Sequence, residues 1–305
     1  MTKQNEPIRQ HYLPKMYLKN FCNQNNKIWV YNDKTDEVKE LSTKDTTVIK
    51  HFYTLKKDDG SKDYYIENNL SKIEDLCAPI INKLVAGNVI NSEEKGYLSV
   101  FIAVLQNRTP KAVDLINQIM NPMLKIQQEH IKHSKAMKDL IEQGKKEYGL
   151  DENLINEILD NIEPSLTKSG EWGFLMDVAI HMAKLYSQME WHFCYTDKSS
   201  FITTDNPILV YPATYDTGPY GNIGVALPTV EKHLTIAPNL MLRIGDLGNP
   251  TIEYHTLNDK KVIREINKSQ IVFREQFAIA KDQGHLEYLI KQTKNKKFKT
   301  HIKIN

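Results

Sequence analysis

Asp63-Tyr-Tyr-Ile66-Glu67-Asn-Asn-Leu70-Ser-Lys-Ile73-Glu74-Asp-Leu76-Cys77-Ala-Pro-Ile80-Ile81-Asn-Lys-Leu84 is where the chain changes period. Ile66, Leu70, Ile73, Leu76, Cys77, Ile80, Ile81 and Leu84 recur at three- and four-residue steps, which places them on one face of a helix. Gly87-Asn88 ends it, as a left-handed cap does. Ser92-Glu93-Glu94 opens a second helix with an N-cap and first-turn acids, and Leu98 to Leu105 is its apolar run. Pro110 marks a boundary or kink.

Upstream the pattern is β. Lys27–Asn32 and Val38–Leu41 flank the turn 32–36 and predict a hairpin, and Val48–Leu55 is another β-prone run. A short helix is expected over 14–21, opening at Pro14, with Met16, Tyr17 and Phe21 on one face. Downstream, residues 111–148 read as helical, and Gln127–Tyr148 as a solvated arm. A shorter helix follows over Leu150–Ile162, then a loop over Pro164–Gly170 and an apolar helix over Trp172–Met189.

Strand signals then return. Trp191–Thr196 and Ser200–Thr204 predict a hairpin, Ile208–Tyr211 a third strand, and 212–224 a loop. Lys232–Ala237 pairs with Leu240–Ile244 across Pro238-Asn239, and 245–251 is a loop. Asp259–Arg274 is expected as a helix, Gln276–Ala280 as a strand and His285–Thr293 as the last helix. The basic tail Lys291–Lys303 reads as a solvated end.

β segments thus bracket a helical middle. The expectation is an α+β fold in a single domain, 1–305. Its β-sheet takes N- and C-terminal strands from 1–62 and 191–290, and a helical lobe, 63–190, is inserted. Two separate domains is the other arrangement.

At 305 residues, 40% hydrophobic and 26% charged, the chain can bury a sizeable core. Fifteen Tyr and nine Phe argue against disorder, and a net charge of +2 neither requires nor excludes a nucleic-acid or nucleotide partner. Cys22, Cys77 and Cys194 lie too far apart for a zinc knuckle and predict reduced thiols. Neither a secretory signal nor a membrane span is expected, so the predicted setting is cytoplasmic. P-loop, GxGxxG, GxSxG and HExxH motifs do not occur.

Several polar residues have both a structural and a chemical reading. His11 sits in an aromatic-rich segment, where burial can tune an imidazole, or it can satisfy a buried carbonyl. Glu67 and Glu74 are two turns apart on one helix side, either as boundary acids or as a carboxylate pair for a cation or acid–base work. Arg108 ends an apolar helix and can pair with Glu67 or Glu74, or hold an anion. Asp205, in Phe201-Ile-Thr-Thr-Asp205-Asn206-Pro207, ends a strand, as a functional carboxylate or as an Asx turn.

His11-Tyr-Leu-Pro14-Lys-Met-Tyr17-Leu18-Lys-Asn-Phe21 resembles the opening signature of a largely bacterial family catalogued as domain of unknown function 4238. Further matches follow in order: Phe52-Tyr53, Glu67, Glu74, Gln106 with Arg108-Thr109-Pro110, Trp191, Phe201 to Pro207, and Leu234 to Pro238. Thr204 stands where serine is commoner. The resemblance implies that His11, Glu67, Glu74, Arg108 and Asp205 form one recurrent set, expected to meet in one cleft.

Two functions follow as expectations. The first is a metal-dependent phosphodiester or nucleotide hydrolase in phage defence. His11, Arg108 and Asp205 would be catalytic, and Glu67, Glu74 and Asp205 would hold a divalent metal. The second is a non-catalytic protein- or nucleic-acid-binding module, in which the same set is a buried structural network. Neither invokes an organic cofactor.

Overall fold

The computed structural model describes residues 7–149, 151–212, 224–227 and 230–294. In chain order it runs β1 (Arg9–His11), α1 (Lys15–Leu18) with a 3-10 turn (Lys19–Phe21), β2 (Lys27–Asn32), β3 (Glu37–Ser42), β4 (Val48–Lys50), β5 (Leu55–Lys56) and β6 (Lys62–Asp63). Helices follow: α2 (Tyr65–Val85), α3 (Ser92–Asn107), α4 (Pro110–Lys132), α5 (Lys135–Tyr148), α6 (Glu152–Asn161) and α7 (Lys168–Ser187). The remainder is β7 (Met189–Tyr195), β8 (Thr203–Thr204), β9 (Ile208–Pro212), β10 (Val230–Ala237), β11 (Leu240–Leu247), β12 (Ile252–Thr256), α8 (Lys260–Phe273), β13 (Phe277–Ala280) and α9 (Gln283–Thr293). The fold is α+β. Among the described residues no helix is long and apolar enough to cross a membrane, and the three cysteines are free thiols.

Helix ends follow local chemistry. Gly87 takes φ +84°, and Gly87 N–H to Leu84 O with Asn88 N–H to Lys83 O closes α2 in a Schellman motif. The N-cap of α3 is Asn91, one residue before the expected Ser92. A capping box needs its acid three residues on, and Glu94 supplies it: Glu94 N–H donates to Asn91 Oδ1 at 2.9 Å, and Asn91 N–H to Glu94 Oε2 at 2.8 Å.

Two main sheets form. The four-stranded one, ordered β3-β2-β13-β8, is antiparallel throughout and joins N-terminal to C-terminal strands as expected. The five-stranded one, β12-β7-β11-β10-β9, comes wholly from the second half, and β12 runs parallel to β7.

The predicted hairpin of 191–196 with 200–204 is not formed. β7 pairs with β11 and β12, whereas β8 pairs with β13 in the other sheet. The segment before β8 is bound elsewhere: Phe201 N–H donates to Pro238 O, Ile202 N–H to Asn267 Oδ1 at 3.1 Å, and Asn267 Nδ2 to Ser200 O at 2.8 Å. The polar turn between the two segments therefore crosses between sheets.

The opening signature ties the two sheets together. Tyr17 is fully buried; its hydroxyl donates to Thr235 O of β10 at 2.7 Å and lies 2.6 Å from Thr203 Oγ1 of β8. Asn20 Nδ2 adds a bond to Ile236 O at 3.1 Å. A phenol buried beyond water needs such partners for its O–H. Lys95 of α3 is likewise buried, and its Nζ donates to Met189 O at 2.6 Å and Pro250 O at 3.0 Å.

The chain divides into two compact units: one of residues up to Lys111 with those from Met176 onward, the other Ala112–Leu175. In the second, Lys132 pairs with Glu129 and Asp160, and Asn117 Nδ2 donates to Glu171 Oε1 at 2.6 Å. Leu150, most of the 212–224 loop and the tail beyond Lys294 lie outside the described residues, as do the side chains of Ile158 and Leu159.

Candidate functional site

Arg108 is the C-cap of α3 and only 3% exposed. Its guanidinium reaches three partners from three parts of the chain. Nη1 donates to Glu74 Oε1 of α2 at 2.6 Å, Nη2 to the backbone carbonyl of His11 at 2.7 Å, and Nε to Tyr53 Oη at 3.1 Å. A buried guanidinium survives only when its donors are matched in this way. Burial pulls the Arg108 pKa down, and Tyr53 and Glu74 more than offset it, so the net direction is up. Burial raises the Tyr53 phenol to about 12 against the pull of Arg108.

Gln10, next to His11 on β1, is also fully buried; it accepts from Tyr53 N–H at 2.6 Å and donates to Thr54 Oγ1 at 3.1 Å.

The imidazole of His11 points elsewhere than its carbonyl. Its Nε2 lies 3.1 Å from Thr43 O, so Nε2–H donates to that carbonyl. Burial, then the charge of Lys15, lowers its pKa to about 4; Arg108 and Arg9 add to this, against the Thr43 bond. Glu67 stands beside the network. Its Oε2 is buried without a hydrogen-bond partner, and burial raises its pKa, with Glu74 adding and Arg108 and Lys15 opposing.

Asp205 forms a second cluster. Its Oδ1 accepts from Glu275 N–H at 3.0 Å, and its Oδ2 from Gln276 N–H at 2.7 Å and Phe277 N–H at 3.0 Å. The carboxylate thus holds the turn from α8 into β13. Burial still outweighs these three bonds and raises its pKa to about 6. Asn206 Nδ2 donates to Phe273 O at 3.1 Å, so the Thr-Asp-Asn-Pro segment stitches β8 to the same turn. Tyr12 is near enough to feel both clusters: burial, then Asp205 and Tyr53, raise its phenol.

Of the five residues singled out in the sequence, then, His11, Glu74 and Arg108 are directly bonded, Glu67 is beside them, and the hydrogen bonds of Asp205 reach none of the four. Glu67, Glu74 and Asp205 are not gathered as a ligand triad: Glu74 is held by Arg108, and both oxygens of Asp205 are taken by backbone amides. Among the described residues, the three His, Cys, Asp or Glu whose ligand atoms all lie within 4.8 Å of one another are His192, Glu253 and His255.

Sequence reasoning assigned no role to Gln10, Tyr53 or Lys95, since nothing in composition marks a buried glutamine or lysine. Tyr53 was visible only as a family match. Gln106, another match, accepts from the Tyr186 hydroxyl at 2.5 Å, and Trp191 Nε1 donates to Tyr186 O at 2.9 Å.

These features define an α+β protein whose two main sheets are pinned by a tyrosine, with a buried arginine network fixing the N-terminal segment. The family model described as "Protein of unknown function (DUF4238)" matches residues 9–284, and the chain belongs to that family. Comparison with curated proteins and with solved structures found no match.

Proposed function

We propose that the chain is a protein-binding module, in which the motif residues hold the frame and the helical unit Ala112–Leu175 carries the binding surface. One observation supports this reading above others. Of the twenty large apolar side chains exposed among the described residues, ten lie in that unit of 64 residues. Leu115, Ile119, Met123 and Ile126 follow at four-, four- and three-residue steps along α4, so they share a face. Clustered exposed apolar surface marks interaction sites. Residues 112–175 carry seven Lys, no Arg and eleven Asp or Glu, a balance that repels a phosphate backbone and favours a protein partner over nucleic acid.

Photo-crosslinkers placed at Met123 and at Lys72 test the reading in cells. A discrete protein adduct from Met123, lost on Ile126→Glu, is the expected outcome. Adducts from Lys72 alone, or to nucleic acid, contradict it.

A second reading, a metal-dependent phosphodiester or nucleotide hydrolase in phage defence using His11, Arg108 and Asp205, has one observation in its favour. The buried, unpaired Glu67 carboxyl with its raised pKa has the character of a general acid. Hydrolysis of a phosphodiester with Mg²⁺ or Mn²⁺ that is lost in Glu67→Gln at unchanged melting temperature favours this reading. A binding module gives no turnover, and Glu67→Gln leaves it as stable or more so, since an unpaired buried charge is removed.

A further inference from the structure

The β12 edge of the five-stranded sheet carries a group that the sequence does not advertise. β12 and β7 run parallel, with Glu253 opposite His192 and His255 opposite Cys194. Side chains alternate along strands, so Glu190, His192, Glu253 and His255 share one face, while Trp191, Phe193 and Tyr254 turn to the other. Three atoms of this group converge. His192 Nδ1 lies 3.1 Å from His255 Nε2 and 3.4 Å from Glu253 Oε2, and His255 Nε2 lies 3.2 Å from Glu253 Oε2.

That triangle has the edges of a metal site. Zinc held by imidazole nitrogen and carboxylate oxygen at about 2.0–2.1 Å in a tetrahedron sets neighbouring donor atoms about 3.3 Å apart. Protons serve the triangle less well. Each neutral imidazole has one N–H, and the carboxylate has none, so at most two of the three contacts can be hydrogen bonds. The third is left as two lone pairs, or two N–H groups, facing each other. A cation above the triangle satisfies all three atoms at once.

The surroundings fit the same assignment. The other ring nitrogen of His192, Nε2, faces Glu190 Oε2 at 3.4 Å, and Glu190 Oε1 accepts from Asn249 Nδ2 at 2.7 Å. A carboxylate behind a metal-binding imidazole fixes its tautomer and turns the bare nitrogen to the ion. Gly245 leaves room for the Glu190 carboxylate: a Cβ there would stand 3.0 Å from Glu190 Oε2 and 3.6 Å from His192 Nε2. Cys194 is not a ligand, since its Sγ points to the His192 carbonyl at 3.8 Å.

We propose that His192 Nδ1, His255 Nε2 and Glu253 Oε2 form a mononuclear site for a late first-row divalent ion of the zinc class, with Glu190 as the positioning residue behind His192. The His₂Glu set leaves a fourth tetrahedral position for water or an incoming donor, and His255 and Glu253, each about half exposed, leave that side open to solvent. The site does not rest on the protein-binding reading and stands or falls separately from it.

The test is equilibrium dialysis of the full chain against Zn²⁺, with Co²⁺ absorption reporting geometry. One Zn²⁺ per chain and the intense visible bands of tetrahedral Co²⁺ are expected. His255→Gln and Glu253→Gln each lose the bands and weaken uptake at least tenfold, with circular dichroism unchanged. Glu190→Gln keeps one equivalent but weakens it about tenfold, the signature of positioning rather than ligation. No stoichiometric uptake by the wild type, octahedral Co²⁺ spectra, or uptake equal in His255→Gln and wild type overturns the assignment.

Discussion

The Arg108 and His192 clusters are built from similar residues in opposite settings. Around Arg108, side chains from α2, α3 and the strand-and-loop segment near the N-terminus turn inward and end on backbone or on each other. Around His192, two histidines and a carboxylate on neighbouring strands turn outward and face one another. In the first cluster the polar atoms bond to a carbonyl, a phenol and a carboxylate that the fold itself presents, so they specify the fold. In the second, protons cannot satisfy the contacts, so the arrangement calls for something from outside.

Breaking the first cluster should have the largest effect. Arg108→Met strands Glu74 and takes the guanidinium from the His11 carbonyl, which keeps the Tyr53 hydroxyl as a donor at 3.3 Å; losing one partner of a buried ion pair costs about 3–5 kcal/mol. At about 2–4 °C per kcal/mol for a chain unit of this size, melting should fall by roughly 10 °C. A drop of under about 2 °C in calorimetry would remove the network from the account.

Tyr17→Phe should come next. It deletes the hydroxyl joining Thr203 to Thr235 and leaves a buried carbonyl unmatched, worth about 1–3 kcal/mol by urea unfolding.

The pH dependence sharpens the comparison, because two motif residues oppose each other. His11, lowered from 6.5 to about 4, contributes stability that is full above 6.5 and is lost as pH falls through 4. Asp205, raised from 3.8 to about 6, contributes stability that is full below 3.8 and is lost as pH rises through 6. His11→Gln should therefore flatten the acid-side loss of stability between pH 6.5 and 4, and Asp205→Asn should steepen it. Urea midpoints taken every half unit across that window read both slopes; unchanged slopes would mean that neither group is perturbed as described.

The smallest effect belongs to the second cluster. Without metal, His255→Gln should move stability by no more than about 0.5 kcal/mol, as exposed substitutions do. A larger loss would make the trio part of the scaffold, like Arg108.

Much of this architecture was legible from period and punctuation. Ile66 to Leu84 declared α2, Pro110 separated α3 from α4, and Pro238-Asn239 turned β10 into β11. What escaped was whatever depends on partners distant in sequence. β8 is only Thr203–Thr204, and local pattern joined it to β7; its place in the other sheet is set by Asn267 and β13. β12 was missed because an edge strand with Glu253 and His255 facing outward reads as loop. The same blindness hid the trio: His192 and His255 are sixty-three residues apart, and only the parallel pairing of β7 with β12 makes them neighbours. Of the motif residues, the union of Glu74 with Arg108 was foreseen as one of the open pairings. That Arg108 holds the carbonyl of His11 rather than its imidazole was not, because sequence motifs name side chains and a backbone oxygen has no letter.

The claim that the motif residues are framework rests most directly on the bond between Arg108 and Glu74. A double-mutant cycle with Arg108→Met, Glu74→Gln and the pair, followed by urea unfolding, measures it free of effects that each change has elsewhere. Two destabilised single variants and a coupling energy of about 2 kcal/mol or more are expected. Single variants at wild-type stability with no coupling would contradict it, and would return both residues to the list of groups free to act on a substrate.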